Sequence, residues 1–166
     1  MHRSIPFLIA FLASSLPLQA QDKGWEMFDP SKQGQTSQKS DAQAVYENLL
    51  KLIDTWNSRD IDGYLDLYWK SPELLVVADM EQLDGWQNLH DFLMKSFRDP
   101  NLMGHGVPAR VQVEIFASDM AYGLVWLEFD FPGSGKKLQE VRTIVLRKFG
   151  EGWKIIASQV CGAELP

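Results

Sequence analysis

Side chains able to do chemistry are few in this chain, and they stand far apart. A single cysteine, Cys161, lies in the C-terminal stretch "GWKIIASQVCG". A thiol nucleophile needs a histidine or a cation beside it to lower its pKa, and redox exchange needs a second thiol. Gln159 stands where that histidine might be and no second thiol exists, so Cys161 reads as a small side chain near a strand end. Beyond His2, the histidines are His90, off the apolar stripe of a helical pattern, and His105, in the loop "NLMGHGVP". No Cys/His or two-histidine spacing exists, so neither a metal nor any other cofactor is expected. His105 sits between glycines, in a loop able to fold over a pocket or to stay at the surface.

Arg142 is the strongest polar candidate. In "QEVRTIVL", strand alternation puts Glu140, Arg142, Ile144 and Leu146 on one face and Val141, Thr143 and Val145 on the other. Apolar residues occupy both faces, so Arg142 is expected in partly dry surroundings. There a guanidinium wants a carboxylate, from Glu128, from Glu140 or from a ligand. Asp79 follows "LLVVA" as a turn residue, or as a group near a pocket mouth if the strand register slips.

The elements that would position these residues follow from periodicity. Ser40 and Gln43 have capping-box spacing, and behind them Val45, Leu49, Leu52, Ile53 and Trp56 make one apolar stripe on a helix. Asp60 can cap a second short helix carrying Ile61, Tyr64, Leu65 and Tyr68. Pro72 ends it, and "ELLVVAD" is expected to be a strand buried on both faces. A turn or short hairpin follows, then a third helix, "WQNLHDFLMKSF". From Ala109 onward the period is two, and Ser118-Asp119, Gly133–Gly135 and Gly150–Gly152 divide the remainder into four strands of an antiparallel meander. The class is α+β, one curved sheet with helices on a single face. Alternation in the last strand puts Trp153, Ile155, Ala157, Gln159 and Cys161 on one side.

The chain opens with "MHRSIPFLIAFLASSLPLQAQ", a weakly basic end, an apolar stretch and a small residue, which is the layout of a secretory signal peptide cleaved after Ala20. Residues 21–39 are polar and read as a linker or arm, with "GWEMF" as a possible docking motif. Residues 40–163 form the domain, in a periplasmic or secreted protein. The formal charge is −6 over 166 residues, and losing residues 1–20 removes one base and no acid. That balance argues against nucleic acid or an anionic membrane surface as partner, since both need clustered Lys and Arg, and the N-terminal apolar stretch, interrupted by Pro6 and Pro17, is too short for stable membrane insertion.

Three stretches in this order resemble the NTF2-like superfamily in its SnoaL-like, ketosteroid-isomerase-like bacterial branch: "WNSRDIDGYLDLY", "LDGW" and "VRTIVLRKFGEGWKIIASQVCGA". The resemblance covers residues 41–163 and implies a cone, a bent sheet wrapped around the N-terminal helices with a pocket at its open end. The aromatics Trp56 and Trp153 would then fill core or line that pocket. Isomerases of this fold use a Tyr and an Asp, and those positions fall on Leu52 and Val76 here, so that chemistry is not expected. The relatives' C-terminal His falls on Gln159, which can bind but cannot act as a base. The association domain of calmodulin-dependent kinase has pocket arginines similar to Arg142.

Three functions follow from that resemblance. The first is an exported pocket protein for a small, partly apolar and anionic molecule, held by Arg142, Gln159, Trp56, Tyr68 and Asp79, with no catalytic residue. The second is an isomerase or dehydratase using Asp79, Tyr68 or His105. The third is an interaction module that pairs into a homodimer through the outer sheet face.

Overall fold

Helix α1, Thr36–Ser58, carries the predicted stripe on one side, with Val45, Leu49, Leu52 and Ile53 buried and Trp56 half-buried. The computed structural model describes residues 36–78, 80–98 and 103–165, with the backbone alone for 36–38. The expected signal peptide, the "GWEMF" motif and Asp79 lie outside the described residues. The helix starts at Thr36 and not at Ser40. Gln38 and Lys39 are good helix formers, and no glycine or proline stands between them and Ser40.

Arg59 ends α1 in the left-handed region, at φ 60°. The amide of Asp60 reaches back to the Thr55 carbonyl at 2.9 Å, closing the helix with a Schellman-type turn. Asp60 then caps α2, Ile61–Asp66, by accepting from the Gly63 amide at 2.9 Å. The corner is held to the sheet by Asn57, whose carboxamide donates to the Gly106 carbonyl at 2.7 Å and accepts from its amide at 2.9 Å. One side chain thus takes both main-chain groups that a neighbouring strand would otherwise pair.

A short hairpin follows, β1 at Leu75–Ala78 and β2 at Glu81–Asp84, and then α3 at Trp86–Ser96. The strand within "ELLVVAD" buries one face and not two, because Leu75 is 41% exposed while Leu74 and Val76 are buried. Four long strands complete the chain: β3 His105–Ala117, β4 Met120–Phe131, β5 Lys136–Phe149 and β6 Gly152–Glu164. They pair antiparallel in sequence order as the periodicity predicts. The sheet order is β2-β1-β6-β5-β4-β3, and the β1/β6 pair is parallel. β3 begins earlier than expected, so His105 is a strand residue opposite Asp130 and not part of a pocket-covering loop.

The long helix lies in the concavity of this sheet, chiefly along β3. Gly123 lets it approach, since a Cβ there would stand 2.7 Å from a Leu49 methyl carbon. Its N-terminal end is fixed by Lys148, which meets Asp41 at 2.6 Å. Its C-terminal end stops short of filling the cone.

Candidate functional site

Past the end of α1, the concave face of the sheet and the inner sides of α2 and α3 enclose a cavity of about 210 Å³. Aromatic and aliphatic groups make most of its wall, among them Trp56, Phe92, Phe129, Val76 and Leu93. Trp56 is fixed by donating its indole N–H to the Gly104 carbonyl at 2.9 Å. Its ring meets Phe129 and Phe97 edge-on, with centroids 6.2 and 5.4 Å away.

The polar groups are concentrated on one part of the wall. Arg142 on β5 is 7% exposed and is ion-paired through Nε to Glu140, two residues along the same face. Its Nη1 donates to the Tyr64 hydroxyl at 3.0 Å, and that hydroxyl lies 3.3 Å from the Tyr68 hydroxyl. The guanidinium carbon also stands 5.9 Å from the Trp56 ring and 5.8 Å from that of Phe129, cation–π distances that favour its charged form. Burial opposes the charge on Arg142, but Tyr64, Glu140 and Tyr68 outweigh it, and the guanidinium stays protonated. Burial pushes the Tyr68 hydroxyl well above its ordinary value of 10.0, and Tyr64 adds to the shift.

One hydroxyl on this wall is left over. The Ser158 Oγ is buried and meets no geometric hydrogen-bond partner among the described residues. Ser158 reaches the cavity because β6 carries a bulge. Val145 of β5 pairs with Ala157 and Leu146 with Ile155, so Ile156 is an extra residue. Beyond a bulge the inward and outward positions exchange. Trp153 and Ile155 face inward before it, and Ser158 and Val160 after it, side by side with Val76 and Ala78 of β1.

The bulge corrects the expectation for Gln159. That residue does not share a face with Trp153; it is exposed, as is Cys161, and neither lines the cavity. Of the other expected site residues, Arg142, Trp56 and Tyr68 converge on the cavity, and Asp79 is not described. Glu140, not Glu128, meets Arg142. His105 is exposed and lines a shallow groove between α1 and β3, apart from the cavity, with Asn57 and Val107. His90 lies against the Trp86 ring with its Nδ1 2.9 Å from Asp91. Leu52 is buried in the α1 stripe, and Val76 forms part of the cavity wall. No group of three potential metal ligands occurs among the described residues.

Solved structures with this architecture are numerous. An NTF2-like protein of unknown function from Shewanella oneidensis superposes with a TM-score of 0.64 at 18% identity, over 71% of this chain and 96% of that one. The fold is NTF2-like. LinA aligns over 78% of this chain and 91% of its own, with a TM-score of 0.65 and 12% identity. An NTF2-like protein of unknown function from Pseudomonas putida gives 0.63 and 16%, over 73% and 85%. No protein-family model and no curated protein matches the chain.

Within this NTF2-like cone, two hydroxyl groups on the Arg142 wall, those of Tyr64 and Ser158, had escaped the sequence. Tyr64 was legible in principle, because it precedes Tyr68 by four residues on a helix and so must share its face. Ser158 carried no signal. No glycine, proline or polar residue marks Ile156 as a bulge.

Proposed function

We propose that the protein is an exported pocket protein that binds one small, partly apolar molecule whose polar end carries an anionic or strongly accepting group. The observation that carries this reading is the charged Arg142, buried on one wall of an otherwise largely aromatic and aliphatic cavity beside the unbonded Ser158 hydroxyl. Buried polar groups are nearly always bonded in a native state, and a ligand with an accepting group would add a partner on that wall. The size limits the ligand. An apolar cavity of about 150 Å³ admits benzene. About 210 Å³ therefore suits a single ring, or a chain of similar bulk, with a small polar substituent.

Benzoate and toluene test this by thermal shift. Benzoate at millimolar concentration should raise the melting temperature of the wild type and should not raise that of the paired variant Glu140→Gln/Arg142→Met, which keeps the wall neutral. Equal shifts in both proteins would remove Arg142 from the site. No shift of the wild type with either compound would count against a ligand of this size.

The outer sheet face supports a proposed homodimer. Leu124, Trp126, Val141 and Val145 are half-exposed there, and Phe116 is 61% exposed. A monomer by light scattering at high concentration would refute the pairing. Export rests on residues 1–20 and predicts a mature protein beginning at Gln21, which N-terminal sequencing of secreted material would check. Among the described residues no helix is long and apolar enough to cross a membrane.

A further inference from the structure

The sheet ends on one side in a long edge strand, β3, whose outer edge is guarded over only part of its length. Gly106 turns both main-chain groups away from β4, and Asn57 takes them. Gly106 stands opposite Phe129, and in an antiparallel pair every second residue of the partner strand faces an outward-turned position. The residues opposite Leu127, Val125, Gly123 and Ala121 therefore turn their groups outward too. They are Pro108, Val111, Val113 and Ile115. Proline has no N–H to offer a further strand, whereas the three β-branched residues have both groups. The edge is thus closed at Gly106 and Pro108, and from Val111 to Ile115 it is built to take a strand.

Tyr46, Arg110 and Val113 each make an interaction beyond the pairings named above. At Val113 it runs through main-chain groups, because valine has no polar or aromatic side-chain atom. The inner side of this border is apolar, with Tyr46 and Leu50 of α1 half-buried against the core. We propose that residues 24–28, "GWEMF", add a short parallel strand to the edge of β3 at Val111–Ile115. The segment lies outside the described residues, and its reach, direction and side-chain pattern select it. The chain enters α1 at the end of the domain where Asp41 meets Lys148 and the Lys148 amide bonds the Asp119 carbonyl, beside the end of β3. Val113 is level with Leu49, because Gly123, its partner on β4, is the residue against which Leu49 packs. From Thr36 to Leu49 the helix rises about 20 Å, and the eight residues from Phe28 to Thr36 span about 26 Å when extended. The segment therefore reaches the edge, and it runs the same way as β3. In an extended chain Trp25 and Met27 share one side and Glu26 takes the other. The first two cover Tyr46 and Leu50, and Glu26 stands on the outer face with Arg110, a residue of opposite charge.

Amide hydrogen exchange on the chain beginning at Gln21 tests the pairing. The amides of Val111, Val113 and Ile115 should exchange at least about tenfold faster in Glu26→Pro/Met27→Pro, since adjacent prolines remove the strand's donors in either register. Amides of Ile144 and Val145, on a strand paired on both sides, should keep their rates and show that the domain is folded. A nitroxide on Gln112→Cys, in a Cys161→Ser background, should broaden the Trp25 indole N–H resonance, assigned by its loss in Trp25→Phe. Unchanged exchange at the edge in the proline variant, or a Trp25 resonance that stays sharp, would overturn the proposal. Edge protection that rises with protein concentration and survives the prolines would mean that two copies pair through β3, and would overturn it as well. Broadening between separately labelled molecules in a mixture would place the segment on a second copy and refute the pairing within one chain. The prolines touch no cavity residue, so the benzoate shift should be the same in this variant, and either reading can fail while the other stands.

Discussion

Replacing Glu140 by glutamine would strand the charge on Arg142. Both side chains are more than nine-tenths buried, so the discount that makes surface ion pairs nearly worthless does not apply. Unit charges 4 Å apart at an effective dielectric of 20 attract by about 4 kcal/mol. Glutamine keeps a carbonyl able to accept from Nε, which restores about 1 kcal/mol. Tyr64 and the faces of Trp56 and Phe129 stay in place and soften the loss a little further. The expected destabilisation is about 2–3 kcal/mol, a large part of the roughly 5–15 kcal/mol of a typical domain. Urea unfolding monitored by tryptophan fluorescence would show a lower midpoint at unchanged slope. Adding Arg142→Met removes the stranded charge and should recover most of the loss, because breaking a buried pair costs more than replacing both members. A loss below about 1 kcal/mol for the single variant, or no recovery in the double, would refute the assignment of Glu140 as the partner that makes Arg142 tolerable.

Ser158→Ala removes a buried hydroxyl that has no partner, so ligand-free stability should stay level or rise by up to about 1 kcal/mol; a drop of more than 1 kcal/mol on urea unfolding would show that the hydroxyl is bonded in solution. Asn57→Ala breaks both bonds to Gly106 and should cost about 2 kcal/mol, and a cost under about 0.5 kcal/mol would mean that the corner is held by packing alone. Because the folded-state pKa of Tyr68 lies above its unfolded value, its contribution is complete below about pH 10 and is lost as the pH rises beyond that value. Absorbance at 295 nm should therefore show a phenol ionisation delayed until the protein unfolds, and Tyr68→Phe should reduce that lag. A lag unchanged in Tyr68→Phe would contradict the burial of Tyr68.

The parts legible in the sequence are those governed by local periodicity. The stripe of α1, the Asp60 cap and the four-strand meander all follow from repeats of 3.6 or 2 residues, and their burial agrees. Arg142 was legible for the same reason, since alternation along β5 is unbroken from Glu140 to Leu146. Gln159 failed because a bulge is set by pairing across strands, and β6 has no local residue that demands one. The one-sided burial of β1 was likewise invisible, because a continuous apolar run has the same composition whether one face or both are covered. Glu128 and Glu140 could be separated only by the fold, which turns the first outward and the second onto the Arg142 face.

The two sides of the cavity are built from elements of very unequal length. Glu140 and Arg142 stand on β5, 14 residues long and paired along most of its length on both sides, next to the 13-residue β6 that carries Ser158. Val76, Ala78 and Leu83 stand on strands of four residues each, at the end of the sheet. Short pairings at a sheet margin open at lower free energy than long central ones. A guest of the proposed kind would therefore meet a stiff polar jaw and a compliant greasy one. Fidelity should reside at the head of the molecule and latitude at its tail, so that congeners lengthened away from the acceptor are accommodated while those altered at it are turned away.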